Sequence, residues 1–231
     1  MGARVGVVVF PGTNCELDVV HAVEHLGGTG ALVWHGDRTV AGFDALVVPG
    51  GFAHGDYLRT GAIARFSPVM DAVRDFAAAG GPVVGICNGF QVLTEAGLLP
   101  GALQKNVRLK FRCDTVVCRV ETGRSVLTHG VEIGTELRLP INHFEGNYTC
   151  DAETLERLQA DDRIVLRYVD NPNGSVDDIA GVSNEGGNVV GLMPHPERAS
   201  EMILGSADGA VLLTALLQAS VSSLSGSLPR A

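Results

Sequence analysis

Apolar and polar positions fall into two regimes along the 231-residue chain. Over the first hundred residues, short runs dominated by valine and leucine alternate with longer stretches whose apolar positions recur at helical spacing. Residues 5–10, 31–34, 45–48 and 82–86 are near-continuous apolar runs, the pattern of strands covered on both faces. Residues 16–26, 63–79 and 89–96 supply the helices between them. This alternation predicts an α/β fold, a doubly wound and mostly parallel sheet flanked by helices. Additional strands without intervening helices are expected from residue 107 to 120. Residues 179–193 read as a hairpin turned at Glu185, Gly186, Gly187 and Asn188, and residues 208–219 as a return helix. Residues 1–231 read as a single domain, with no internal repeat or dividing linker, and the Ser-rich stretch from about 220 to 231 is expected to be a mobile tail.

Charge narrows the possible partners. A net charge of -9 argues against a nucleic-acid or anionic-membrane surface, because phosphate backbones select basic patches. Metabolite-sized substrates fit better. The sequence enters the run Arg4-Val5-Gly6-Val7 without a secretory-type leader, and no apolar stretch approaches a membrane span, so a cytoplasmic location is expected. Five cysteines, at 15, 87, 113, 118 and 150, form no C-x-x-C pair and are odd in number; neither a disulfide framework nor a metal site is expected.

Candidate chemistry starts at Gly85-Ile86-Cys87-Asn88-Gly89, where an apolar strand turns into a helix. In an open parallel sheet, ligands collect beyond the carboxyl ends of the strands, and a sharp strand-to-helix turn lifts its central side chain into that crevice. Glycines two residues either side of Cys87 remove Cβ atoms that would crowd the turn, and the helix N-terminus favours a thiolate. A small cysteine buried at a tight turn is the simpler alternative, so the motif needs partners. Among seven histidines, His195 stands out because Pro194 and Pro196 push the backbone towards an extended form. Residues two apart would then share a side, placing Glu197 along the imidazole edge. By itself this tetrapeptide reads as a stiff surface turn; beside a nucleophilic thiol it reads as base and orienting carboxylate. The turn Pro49-Gly50-Gly51, at another strand end, offers the Gly51 amide, which with that of Asn88 forms the candidate oxyanion pair.

Gly85 to Gly89 with Gln91, the Pro49-Gly50-Gly51 turn and Pro194-His195-Pro196-Glu197 together resemble the triad-type, or class I, glutamine amidotransferases. Longer stretches, among them residues 49–66, 142–148 and 168–198 and the N-terminal Phe10-Pro11-Gly12-Thr13-Asn14-Cys15-Glu16, resemble the glutaminase-subunit branch that serves phosphoribosylformylglycinamidine synthase. The resemblance implies a flavodoxin-like amidotransferase domain that hydrolyses glutamine through a thioester on Cys87. It implies delivery of ammonia to a large synthetase subunit, joined by a small bridging subunit, with ATP and Mg on the synthetase and no cofactor in this chain. The absence of a G-x-x-x-x-G-K-[ST] loop agrees. It also suggests a glutamine-pocket role for Gln91, one helical turn beyond Cys87. His143 and Glu145 could form a second histidine–carboxylate pair, although lining of the pocket or of a docking surface is the simpler reading. Asp56, Tyr57 and Arg59 sit where a charged loop could meet a partner. Cys113 and Cys118, five apart on a strand-like segment, should face opposite sides. Other readings are an amidotransferase feeding another acceptor, or a stand-alone cysteine hydrolase; the hydrolases of related fold commonly place histidine directly after the cysteine, where this chain has Asn88. A non-catalytic binding module is disfavoured because Cys87, His195 and Glu197 are all present.

Overall fold

The computed structural model describes residues 2–223. Its centre is a nine-stranded sheet in the order β2-β1-β3-β4-β11-β10-β9-β6-β7. The strands are β1 (Arg4–Val9), β2 (Thr29–Trp34), β3 (Ala45–Val48), β4 (Val83–Ile86), β6 (Arg112–Val120), β7 (Glu136–His143), β9 (Ile164–Tyr168), β10 (Ile179–Ser183) and β11 (Val189–Leu192). A separate ribbon pairs β5 (Ala102–Gln104) with β8 (Asn147–Thr149). From β2 to β11 the neighbours are parallel, and from β11 to β7 they are antiparallel.

Burial explains the two sequence patterns. Every residue of β3, β4 and β11 is buried, because these central strands are covered on both faces and alternation would place polar groups in the core. β7 alternates exposed or half-buried with buried positions along its length, as expected where one face meets solvent. Around the sheet lie α1 (Glu16–His25), α2 (Val69–Ala78), α3 (Asn88–Glu95), α4 (Ala152–Ala160) and α5 (Gly209–Ser223). Asp151 caps α4 through its side chain, accepting from the Thr154 amide at 2.8 Å.

Two expected elements differ. The helix predicted over residues 63–79 is broken: a short 3-10 turn, Ala64–Phe66, is followed by Ser67 at ψ 142°, and α2 begins only at Val69. Pro68 causes this, since its ring drives the preceding residue out of the helical region. The strand expected from residue 107 starts at Arg112, because the buried Asn106 side chain binds the carbonyls of Lys110 and His143 at 2.9 and 3.0 Å and holds the intervening chain as a loop. The hairpin forms as expected, with Gly181 opposite Leu192. Cys113 is exposed and Cys118 buried. At the C-terminus α5 continues through Ser223, four residues into the Ser-rich stretch; the remainder of the expected tail lies outside the described residues.

The helix after β4 can form only because Gly89 has no side chain. A Cβ built there would stand 1.8 Å from the Val48 carbonyl oxygen of β3, backbone that cannot yield. Gly89→Ala should therefore cost at least about 3 kcal/mol, at the upper end of overpacking effects. Gly123→Ala, whose Cβ would meet nothing nearer than 3.9 Å, is the matched control. Urea unfolding of both variants measures the difference; equal midpoints would contradict the constraint.

Candidate active site

Four parallel strand ends converge on one crevice. β1 delivers Asn14 and Cys15, β3 delivers Gly50 and Gly51, β4 delivers Cys87, and β11 delivers His195; His143 arrives from the end of β7. All of these except Gly50 border a cavity of about 360 Å³ whose lining also includes Gln91, Asn142, Glu145 and Arg198, a size suited to a small metabolite.

Cys87 occupies the turn between β4 and α3 with φ 52° and ψ -106°, a backbone state that side chains rarely adopt and that marks a strained nucleophile elbow. Its amide donates to the Leu192 carbonyl of β11 at 2.8 Å, and its carbonyl accepts from the Gln91 amide at 3.2 Å. The turn is thus fastened to the neighbouring strand and to its own helix. The thiol faces the Asn142 carbonyl at 3.7 Å.

His195 is 1% exposed, and its Nδ1 lies 2.6 Å from Glu197 Oε1, itself buried. The route to this contact differs from the expected one. Pro196–Ala199 form a 3-10 turn rather than an extended segment, because proline at the first position is preorganised for helical geometry. Arg198 donates its amide to the His195 carbonyl at 3.2 Å and closes the turn, folding Glu197 back onto the ring. The His195 amide donates to Pro140 of β7 at 2.8 Å. Burial disfavours the charged imidazole, but the Glu197 carboxylate and the neighbouring sulfurs of Cys87 and Cys15 outweigh it and hold the His195 pKa well above the ordinary histidine value. With Nδ1 engaged, the buried Nε2 has no partner among the described residues, leaving that atom to exchange a proton with a bound molecule.

Gly50 packs closely against the histidine and both cysteines. A Cβ there would lie 2.7 Å from His195 Cε1 and 3.1 Å from Cys15 Sγ, and the Gly50 carbonyl accepts the amides of Asn14 and Cys15 at 3.2 and 3.1 Å. Gly51 sits beyond it at φ 150°. Neither the Gly51 nor the Asn88 amide has an acceptor among the described residues. The Asn88 side chain binds the turn to the elbow by accepting from the Ala53 amide at 2.9 Å, but Asn88 and Glu197 do not themselves line the cavity.

His143 and Glu145 both line the cavity, the simpler of the two readings, and the alternative pairing between them does not form. His143 Nδ1 is 3.1 Å from Asn106 Oδ1, because β7 ends at His143 and the loop after it binds Asn106 through the Gly146 amide at 3.1 Å. Burial, reinforced by the charge on His195, lowers the His143 pKa to about 4. Glu145 contributes its backbone instead: its carbonyl accepts from Gln91 Nε2 at 2.5 Å. Gln91 therefore lines the cavity as part of a network, its Oε1 taking Asn88 Nδ2 at 2.8 Å.

Several cavity residues were not singled out from the sequence. Arg198 reaches Asp18 at 3.0 Å and Cys15 Sγ at 3.2 Å, bringing a second cysteine into the cavity. Cys15, His195 and Glu197 have ligand atoms within 4.8 Å of one another, but the Arg198 guanidinium against the sulfur opposes a cation there. Arg198 and Cys15 both lie inside motifs that carried the family resemblance, so a signal existed; Asn142 acts through its carbonyl, which side-chain identity does not report.

A thiol on a strained elbow, next to an imidazole oriented by a carboxylate at the carboxyl edge of a parallel sheet, is the constellation of a cysteine-dependent acyl-transfer enzyme. Comparison with known proteins narrows that class. Residues 2–209 match the model of the CobB/CobQ-like glutamine amidotransferase domain, and the chain belongs to that family. It is 57% identical over 214 residues to "Phosphoribosylformylglycinamidine synthase subunit PurQ" of Rubrobacter xylanophilus, covering 93% of this chain and 97% of that protein. Identity to the protein of the same name from Synechococcus elongatus is 55% over 216 residues, covering 93% and 98%. The structure described as PurLQS from Thermotoga maritima contains a chain that superposes with a TM-score of 0.87 at 42% identity, covering 94% of this chain and 99% of that one. A glutamine amidotransferase from Thermotoga maritima, at 14% identity and TM-score 0.58 over 98% of this chain and 100% of that one, shares the fold.

The His143 shift has a measurable consequence. Its folded pKa of about 4 lies below the unfolded value of 6.5, so above pH 6.5 both states are neutral and the residue exacts no penalty. As pH falls through that window the unfolded chain takes up a proton that the folded chain refuses, and stability is lost until about pH 4. Unfolding free energy should drop between pH 7 and 4.5 by about 2.5 kcal/mol more in the wild type than in His143→Gln. His195 has the opposite sign, its contribution being complete below 6.5 and lost only as pH rises through the folded pKa, and it is present in both proteins. Urea titrations at the two pH values provide the check; identical losses would contradict the buried, neutral imidazole.

Proposed function

We propose that this chain is the glutaminase subunit of phosphoribosylformylglycinamidine synthase, releasing ammonia for conversion of formylglycinamide ribonucleotide to its amidine in purine biosynthesis. The observation that carries the reading is the Cys87 elbow sharing one cavity with a buried His195 whose Nδ1 is held 2.6 Å from Glu197. The relatives' names supply the acceptor.

In this reading the glutamine carboxamide enters the cavity and Cys87 Sγ attacks its carbon, the proton it gives up residing on His195. The carbonyl oxygen gains the electron pair and is met by the Gly51 and Asn88 amides, a pair of donors of the kind worth about 10²–10³ each in rate. Collapse of the tetrahedral adduct breaks the C–N bond, with a proton from His195 Nε2 carried away on the leaving nitrogen as ammonia. Water, giving a proton back to His195, then cleaves the thioester to glutamate and restores the thiol. Glu197 stays ionised and fixes the tautomer throughout. Gln91, His143 and Glu145 shape the glutamine pocket, His143 as a neutral ring and Glu145 through its backbone.

ATP and Mg act on the synthetase, which the small bridging subunit joins to this chain; the lack of a phosphate-binding G-x-x-x-x-G-K-[ST] sequence supports that division. No helix among the described residues is long and apolar enough to cross a membrane, which fits a cytoplasmic location.

Cys87→Ser tests the division of labour. In the complex reconstituted with synthetase and bridging subunit, glutamine-dependent amidine formation should fall by at least a thousandfold, as expected when a nucleophile is removed. Amidine formation from added ammonium salt should stay within about twofold of wild type, since the change leaves the other chain's chemistry untouched. Loss of both activities from an intact complex would refute the assignment.

A further inference from the structure

Eight non-glycine residues hold positive φ among the described residues. Five are Asp or His, which tolerate the left-handed region. The other three are Cys87, Leu58 and Leu109. The elbow accounts for Cys87. Burial does not account for the leucines: Leu58 is 91% exposed and Leu109 67% exposed, so neither side chain gains contact in return for a conformation that bulky side chains avoid.

Both leucines stand on loops tied to the cavity. From Leu58 the connection runs through Asp56, whose Oδ1 accepts from Asn88 Nδ2 at 3.1 Å; the same nitrogen donates to Gln91 Oε1, and Gln91 Nε2 donates to the Glu145 carbonyl. From Leu109 it runs through Asn106, whose carbonyl accepts the Leu109 amide at 2.8 Å and whose side chain holds His143 and Gly146. Two exposed leucines thus flank one path of hydrogen bonds and neighbouring residues that runs from Asp56 through residues 143–146 to Asn106.

The geometry points to Leu58 and Leu109 as the contacts through which the synthetase subunit docks on this chain and acts on its glutamine pocket. This rests on the function proposed above. Ammonia set free in the cavity has to reach a second active site without entering bulk water, so the synthetase must cover the cavity; the Leu58 loop borders it through Asp56 and Thr60, and the Leu109 loop holds His143 of its lining through Asn106. The leucines call for apolar recesses on the partner. The loop around Leu109 calls for acidic groups, because it carries both lysines of the chain, Lys105 and Lys110, with Arg108 and no acidic residue, in a protein of net charge -9. A second copy of the chain docking by twofold symmetry would set that basic loop against itself.

The test uses the full chain, the synthetase and the bridging subunit. Sedimentation measures the assembly constant, and glutaminase assays follow the free and assembled chain. Leu58→Ser and Leu109→Ser should each weaken assembly at least tenfold while free-chain glutaminase activity stays at the wild-type level. Leu58→Gly and Leu109→Gly relieve the backbone, so their melting temperatures should equal or exceed wild type although assembly is weakened as in the serine variants. Wild-type affinity in all four would overturn the inference, as would self-association of the isolated chain that the same substitutions abolish. Failure of the wild-type chain to bind the synthetase would instead bring down the proposed function.

Discussion

Everything at the cavity depends on the approach of Gly89 to the Val48 carbonyl. A nucleophile projected from the end of a central strand requires the chain to reverse immediately into a helix, and here the helix starts against the backbone of the adjacent strand. That proximity fixes the position of the Cys87 backbone relative to β3, and β3 in turn ends in the Gly50-Gly51 turn. The distance between thiol and candidate oxyanion donors is therefore set by main chain, which is stiffer than any arrangement of side chains. Gly50 extends the same rule to the other side, where a single methyl group would collide with the His195 ring.

Two histidines border the cavity and are driven in opposite directions. His195 has a carboxylate on one nitrogen and holds its proton; His143 has an amide oxygen and remains neutral well into acid. Both are buried, so desolvation alone would lower both. The partner decides, and the charge on the first reinforces neutrality in the second. One fold thereby obtains a protonated ring and an uncharged ring lining the same cavity.

The parallel half of the sheet was legible because buried strands leave continuous apolar runs, and the elbow was legible because its glycines answer a steric demand that nothing else satisfies. Pro194 and Pro196 drew attention to His195 for a sound reason, conformational restriction, yet the restriction produced a tight turn where an extended segment was expected. What escaped was chemistry carried by backbone or by distant contacts. The Asn142 carbonyl and the Glu145 carbonyl have no side-chain signature. Asn106 lies 37 positions from His143 in sequence, and no local pattern joins them. The Pro68 break in the second helix was readable in principle, since proline's effect on its predecessor is local, but helical periodicity on both sides concealed it.

The register of β4 has a consequence in time. Its neighbours are β3, made earlier, and β11, whose residues 189–192 lie more than a hundred positions later. A growing chain carries Cys87 long before the strand that accepts the Cys87 amide exists, and before His195 exists at all. During synthesis the thiol stands without its imidazole and on an elbow fastened on one side only. The crevice consequently cannot close until β11 has been made, and a chain cut short before that strand lacks the imidazole as well as the fastening of the elbow.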